Sequence, residues 1–322
     1  MTIREALAQT GAELKAAGID TPSLDASLLL AHILNTNRTA LAAMGSDPLS
    51  EESFATLRAL AERRKKGECI AYILGKKEFR GLEFLVNPSV LVPRPDTETL
   101  VEAALEILGN NFHSFKEKKP RSTRSYTEFL IGNSLLPPCN SVTSAVLNSS
   151  ILDLCTGSGA VAISLKNEMP SLEVWASDIS DEALETAKKN AALLLPACSI
   201  KFLHGDLYNA LPIPHSPFLT PSFSLIVCNP PYIPTDEMQG LPAEVRKEPR
   251  LALDGGLEGL AVIKRVIDGS VEKLMHGGAL LLEADPRQME KITFFLEKQG
   301  FSNIKLYKDL SGKERVIGGI YE

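Results

Sequence analysis

Residues 151–160 read Ile-Leu-Asp-Leu-Cys-Thr-Gly-Ser-Gly-Ala. The apolar run Ile151 to Leu154 ends in a turn of small residues, Cys155 to Gly159, and a helical pattern, Ala160 to Lys166, follows. Glycine at 157 and 159 lets the backbone turn tightly and approach a ligand where a Cβ would collide. A strand, a glycine turn and a helix serve a dinucleotide, a phosphate or no ligand at all. The dinucleotide fingerprint GxGxxG is not met, because position 162 is Ala and 155 is Cys, and no lysine follows the glycines as a phosphate loop requires.

Downstream, the same alternation repeats. Strand-like runs fall at Leu172 to Ala176, Ile200 to Leu203, Leu225 to Cys228 and Ala279 to Glu283. Helical periodicity falls at Glu182 to Leu194, Leu257 to Leu274 and Met289 to Lys298. Strand-helix alternation predicts an α/β fold, a parallel sheet with helices on both faces. The last two runs, Ile304 to Tyr307 and Arg315 to Tyr321, lie close in sequence and predict an antiparallel pair at one sheet edge.

Upstream, residues 1–75 read as all-helical. Ile3, Leu7, Leu14 and Ala17 recur at helical spacing, and Leu24 to Leu34 form a second amphipathic stretch with Thr21 or Ser23 as N-cap. Ser50 precedes Glu51 and Glu52 and a third pattern ends in Arg63 to Lys66, the acidic start and basic finish that suit a helix dipole. Residues 76–92 alternate around Gly81 (Phe79, Leu82, Phe84, Val86) and predict a hairpin joining two domains, with the second domain at 93–322. Asp96-Thr97-Glu98-Thr99 opens a helix with Leu100, Val101, Ala104, Leu105 and Leu108 on one face. Residues 110–149 hold a basic run (Lys116, Lys118, Lys119, Arg121, Arg124) and Pro137-Pro138 without clear periodicity, which reads as a loop insertion.

Two carboxylates sharpen the glycine turn. Asp178 ends the second strand, where it can accept both hydroxyls of a ribose. Asp206 ends the third, in His204-Gly205-Asp206-Leu207, where an acceptor can meet an adenine amino group. Either alone is an ordinary cap or turn residue. Together with Asp153, at the ends of successive strands, they outline a nucleoside site, and the acidic lining suits a positive sulfonium better than phosphates.

Asn229-Pro230-Pro231-Tyr232 follows the fourth strand, beside that crevice. An amide or aromatic amino nitrogen is a poor nucleophile because its lone pair is delocalised. The Asn229 side-chain oxygen and the Pro230 carbonyl can each accept one N–H of a target –NH2, hold the nitrogen and direct its lone pair at a methyl donor. Proline fixes φ and so holds its carbonyl in place. Pro231 continues the turn, and Tyr232 offers a flat face for a planar target.

The composition is that of an ordinary globular protein: 322 residues, 44% hydrophobic, 23% charged, net charge -6 and pI about 5.6. An acidic total gives no general footprint for duplex nucleic acid. The five cysteines (Cys69, Cys139, Cys155, Cys198, Cys228) contain no CxxC pair and fit free thiols in a reducing compartment, and none of the five histidines sits at metal-ligand spacing. No apolar signal core opens the chain and its apolar runs are too short to span a bilayer, so a cytoplasmic protein with no membrane partner is expected.

With these motifs in hand, the chain resembles the release-factor glutamine N(5)-methyltransferases, the HemK/PrmC family. The resemblance runs through the helical N-terminus, Glu78-Phe79-Arg80-Gly81, Val92-Pro93-Arg94-Pro95-Asp96-Thr97-Glu98, Asp153 to Gly159, Asp178, Asp206, Asn229 to Tyr232, and Glu248-Pro249 with Leu253-Asp254-Gly255-Gly256. It implies a seven-stranded, Rossmann-like S-adenosylmethionine methyltransferase fold with a small all-helical substrate-recognition domain at 1–75 joined by the 76–92 hairpin. It also implies the methyl donor S-adenosylmethionine, no metal, and as substrate the glutamine of the Gly-Gly-Gln loop of peptide chain release factors, with no direct nucleic-acid partner. The donor site it implies comprises Asp153, Cys155, Thr156, Gly157, Ser158, Gly159, Asp178, Asp206, Leu207 and Asn229; Asn229, Pro230, Pro231 and Tyr232 hold the acceptor. Two positions depart from the family: Cys155 stands where many members have glycine, and Leu207 where some have an aromatic residue beside the adenine. An adenine-N6 nucleic-acid methyltransferase shares Asn-Pro-Pro-Tyr but needs a basic groove and a target-recognition module. A non-catalytic S-adenosylmethionine-binding protein would not need an intact Asn229.

Overall fold

The computed structural model describes residues 1–117, 150–195, 199–212 and 222–322. Five helices fill the N-terminal region: α1 (Ile3–Ala16), α2 (Pro22–Ile33), α3 (Arg38–Ala43), α4 (Glu51–Lys65) and α5 (Ile70–Leu74). Their apolar faces close on a core of Ile3, Leu14, Leu29, Leu30, Leu41 and Leu57. Ser50 caps α4 by accepting from the Ser53 N–H at 3.1 Å. For α2 the cap position is Thr21, with Pro22 in the first turn, but its hydroxyl bonds the Asp25 carboxylate at 2.9 Å rather than a backbone N–H. The short helices α3 and α5 escaped the periodicity reading, since five or six residues complete too few turns to show a period.

A hairpin, β1 (Lys76–Phe79) and β2 (Leu82–Leu85), follows, with Phe79 and Phe84 turned inward. It is tied to the second region by Asn190, whose side chain accepts from the Leu85 N–H at 2.7 Å and donates to the Leu85 carbonyl at 3.0 Å. Helix α6 (Glu98–Glu117) carries the helix into the stretch read as an insertion from 110; the rest of that stretch, with its basic run beyond Lys116, lies outside the described residues.

The second region is one seven-stranded sheet. Its strands are β3 (Ser150–Leu154), β4 (Glu173–Asp178), β5 (Lys201–His204), β6 (Phe223–Cys228), β7 (Leu274–Glu283), β8 (Phe301–Lys308) and β9 (Glu314–Tyr321), in the order β5-β4-β3-β6-β7-β9-β8. The first five are parallel; β9 runs antiparallel to both β7 and β8. The central strands read as continuous apolar runs because both faces are covered. Ile151, Leu225 and Leu281 pack with α6 and α7 (Ala160–Glu168) on one face. Leu152, Ile226 and Leu280 pack with α9 (Ala261–Ser270) and α10 (Met289–Lys298) on the other. Helix α8 (Asp181–Leu194) connects β4 to β5.

The helix expected at Leu257 to Leu274 is shorter at both ends. Gly256 (φ 79) and Glu258 (φ 54) are left-handed, which an α-helix cannot accommodate, and Leu257 is 86% exposed. At the other end Leu274 already belongs to β7, which extends five residues ahead of Ala279 through Gly277-Gly278. Among the described residues Cys69, Cys155 and Cys228 are free thiols, and no helix is long and apolar enough to cross a membrane.

Candidate active site

Strand β3 pairs with β4 on one side and β6 on the other, so the chains leaving its neighbours diverge and open a crevice at the carboxyl ends. Leu154 is level with Ser177 and Cys228, and Cys228 with Leu282. Cys155, Asp178, Asn229 and Glu283 therefore emerge along one edge. A cavity of about 210 Å³ lies there, lined by the glycine turn, Asp178, Asp206, Leu207 and Asn229.

The glycine turn is braced from both sides. Gly157 (φ 55) donates its N–H to Asp178 Oδ2 at 2.8 Å, while Asp178 Oδ1 accepts from the Ser180 N–H at 3.0 Å. Burial raises the Asp178 pKa above the usual carboxylate value, against these backbone donors. Asp153 is 1% exposed, and its Oδ2 accepts from the Thr156 hydroxyl at 2.7 Å and the Ala162 N–H at 3.2 Å. Burial pushes its pKa up to about 7. Asp153 touches the cavity, but its carboxyl is engaged in holding the turn to the start of α7. Gly159 is not on the cavity wall: a Cβ there would meet Ala187 Cβ at 3.2 Å, so its place is the contact of α7 with α8. Cys155, Thr156 and Ser158 line the wall, with Cys155 itself left-handed (φ 56).

Asp206 pairs with Arg265 at 2.5 Å, a partner that the sequence reading missed because it comes from α9. The second cation on the wall, Arg94, pairs with Glu248, whose Oε2 also accepts from the Val92 N–H at 3.0 Å. The Pro-Arg-Pro and Glu-Pro segments thus meet in space. With both of these cations neutralised, the wall has no free positive charge for a phosphate among the described residues. A nucleoside bearing a sulfonium fits that donor set, with the Asp178 and Asp206 carboxylates available to ribose hydroxyls and base.

A second cavity lies on the far side of Asn229, lined by Asn229, Pro230, Tyr232, Leu253 and Glu283. Leu91, Arg94, Asn229 and Ala252 belong to both walls. Pro231 lines the first cavity rather than the second. The Asn229 Nδ2 donates to Thr97 Oγ1 at 3.2 Å, which leaves its Oδ1 as the open acceptor. The Tyr232 hydroxyl donates to Glu283 Oε1 at 3.2 Å, and burial raises the phenol pKa so that it stays neutral. Glu283 is 1% exposed, and burial pushes its pKa up to about 7. Thr97 and Glu283, quoted above only as part of a motif and as a strand end, were not expected as site residues. The signal for Glu283 was available: like Asp178, it is an acid ending an apolar strand at the crevice edge.

The turn is clamped from behind. Gln288 Nε2 donates to the Tyr232 carbonyl at 2.9 Å, and in a short parallel bridge opposite Asp254 the Ile233 N–H donates to the Leu253 carbonyl at 2.9 Å while the Ile233 carbonyl accepts from the Gly255 N–H at 2.8 Å. A Cβ at Gly255 would stand 2.6 Å from the Pro231 carbonyl oxygen and 2.8 Å from Tyr232 Cα.

Family descriptions match both regions: a PrmC N-terminal domain over residues 5–75 and a methyltransferase domain over residues 151–247. The release factor glutamine methyltransferase of Moorella thermoacetica is 35% identical across 98% of this chain and 97% of its own length. That of Burkholderia pseudomallei is 37% identical across 96% and 95%. The chain belongs to the release factor glutamine methyltransferase family. Among solved structures, the hMettl16 catalytic domain in complex with MAT2A 3'UTR hairpin 6 superposes with a TM-score of 0.50 over 82% of this chain and 81% of that one. At 14% identity that likeness is one of fold alone.

Proposed function

We propose that the chain methylates the side-chain amide nitrogen of the glutamine in the Gly-Gly-Gln loop of peptide chain release factors, with S-adenosylmethionine in the 155–159 crevice as donor. The observation that carries this reading is the place of Asn229, on the wall between two cavities with its Oδ1 unengaged. S-adenosylmethionine supplies an electrophilic methyl group. The residues of the chain then have three tasks. Asp178 and Asp206 hold the nucleoside, the latter against Arg265. Asn229 Oδ1 and the Pro230 carbonyl accept the two N–H bonds of the target amide and favour a pyramidal nitrogen. Tyr232, anchored by Glu283, flanks the planar amide. A strong base is not required, because the nitrogen becomes acidic as its new bond forms. The names of the relatives support the substrate, and residues 1–75, remote in sequence from every donor motif, are assigned to its recognition.

Two measurements test this. Incubation with methyl-labelled S-adenosylmethionine and release factor, with DNA in a parallel arm, should label only the factor, on the glutamine side chain. Label on an adenine amino group would overturn the reading. Asn229→Ala should lower kcat by roughly 100- to 1,000-fold while cofactor affinity stays the same, because it removes an interaction that strengthens in the transition state. Near-normal turnover would reduce Asn229 to a turn residue.

A further inference from the structure

We propose that Asn190, on α8, is a positioning residue for the methyl donor: it holds the glycine turn and the chain leaving the hairpin at a fixed spacing, and both line the donor cavity. The inference rests on that cavity being the donor site. Two segments distant in sequence supply these walls. One is the turn, Cys155 to Ser158. The other is the run after the hairpin, where Ser89, Val90, Leu91, Pro93 and Arg94 face the same space. Neither belongs to a strand or helix, so no ladder of backbone bonds sets the distance between them.

An asparagine is an unusual residue for the buried face of a helix, because its polar groups must all find partners there. Asn190 is 0% exposed. Its Nδ2 donates to the Leu85 carbonyl at 3.0 Å and to the Ser158 carbonyl at 2.9 Å, and its Oδ1 accepts from the Leu85 N–H at 2.7 Å. Two carbonyls need donors and one N–H needs an acceptor, so the amide has a single orientation. Toward Leu85 it acts as an adjoining strand would, engaging the N–H and the carbonyl of one residue. Toward Ser158 it holds the carbonyl of a residue on the cavity wall. One planar group thus joins the hairpin end to the glycine turn. The same face of α8 repeats the clamp four residues earlier. Thr186 Oγ1 accepts from Asn87 Nδ2 at 2.9 Å, and Asn87 Oδ1 accepts from the N–H of Ser89, on the opposite wall, at 2.9 Å. Truncating Asn190 leaves buried groups on Leu85 and Ser158 without partners, and the two walls must shift to recover them.

The test measures the Kd of S-adenosylmethionine by calorimetric titration, and kcat and KM with release factor, on folded full-length variants well below their unfolding midpoints. Asn190→Ala should raise the Kd about tenfold. Its kcat at saturating donor and its KM for release factor should stay within about twofold of the parent, since Asn190 touches neither Asn229 nor the second cavity. A purely structural role would lower the urea midpoint and leave the Kd alone. Ile292→Val, a core truncation under α10, supplies that pattern for comparison. A parent-like Kd in Asn190→Ala overturns the proposal, and so does an equal rise in Ile292→Val. If Asn190→Ala fails to fold, the second clamp decides: Thr186→Val should raise the Kd about threefold and Thr186→Ser should restore it, and a parent-like Kd in Thr186→Val overturns the proposal. Asp178→Ala is run alongside. If it too binds like the parent, the donor cavity itself has been misassigned, whereas a weakened Asp178→Ala with a parent-like Asn190→Ala removes only the role of Asn190.

Discussion

Asp178 has two structural duties and one proposed chemical one. Its oxygens hold the Gly157 and Ser180 N–H groups, which fixes the turn, and their remaining lone pairs face the cavity where a ribose would lie. Removing the side chain takes away charge-assisted acceptors and also frees a backbone N–H in the turn. Asp178→Ala is expected to weaken S-adenosylmethionine by about 1.5–3 kcal/mol, roughly a ten- to hundredfold rise in Kd. Calorimetric titration checks this, and an unchanged Kd would remove Asp178 from the donor site. Asp153 is the contrasting residue. It lies just before the same turn, but its carboxyl is bonded inside the protein.

At the scale of elements, the reactive turn is held by another loop rather than by its own strand. The segment 253–259 lies on the backbone of Pro231 and Tyr232, and Gly255 permits that approach because it has no side chain. Gly255→Ala would push the two segments apart. Overpacking of this kind costs about 1–3 kcal/mol, and a displacement of about 1 Å at the acceptor carbonyl can cost roughly a hundredfold in rate. We expect kcat to fall by about that factor while cofactor affinity holds, since the donor cavity is built mainly from the β3, β4 and β5 ends. Steady-state kinetics beside calorimetry reads both, and a kcat within about threefold of the parent would show that the clamp does not position the turn.

At the scale of the whole molecule, side-chain contacts join the helical region to the sheet region. Arg64 in α4 is nearly buried and bonds Asp25 of the helical region and Glu244, downstream of the reactive turn, each at 2.7 Å. Tyr72 donates its hydroxyl to the Val90 carbonyl at 2.5 Å and packs with Val86, Val92 and Ala183. The helical region therefore contacts the segment after the reactive turn beside Val245, which lines the second cavity. Stability should also carry a signature of the buried acids. Burial holds Glu283 and Asp153 at pKa values of about 7. Each keeps a proton in the folded state that it releases in the unfolded state above about pH 4–4.5. Their contribution is thus fully present below that pH and is lost as pH rises toward 7, at up to about 1.4 kcal/mol per pH unit for each group. Exposed carboxylates with lowered values, such as Glu237 beside Arg287, are ionised in both states over this window and add no slope. Urea unfolding at pH 5, 6 and 7 should show stability falling, and Glu283→Gln should reduce the slope by about one group's share. An unaltered slope in that variant would mean that Glu283 does not hold its proton.

The sequence was sufficient where function depends on position along a strand. A residue that ends a buried apolar run in a parallel sheet must lie at the carboxyl edge, so Asp178, Asp206 and Asn229 could be placed in one crevice without coordinates. The helical region and the edge pair of strands followed from periodicity and short spacing. Three features required the tertiary structure. Asn229 and Thr97 are 132 residues apart, Tyr232 and Glu283 are 51 apart, and Asp206 and Arg265 are 59 apart. No local pattern relates such pairs. They meet because strand order brings β6 beside β7 and sets α9 and the approach to α6 against the crevice. Residue types and strand ends determine which groups can reach the site; only the packing decides which of them hold one another, and in which orientation.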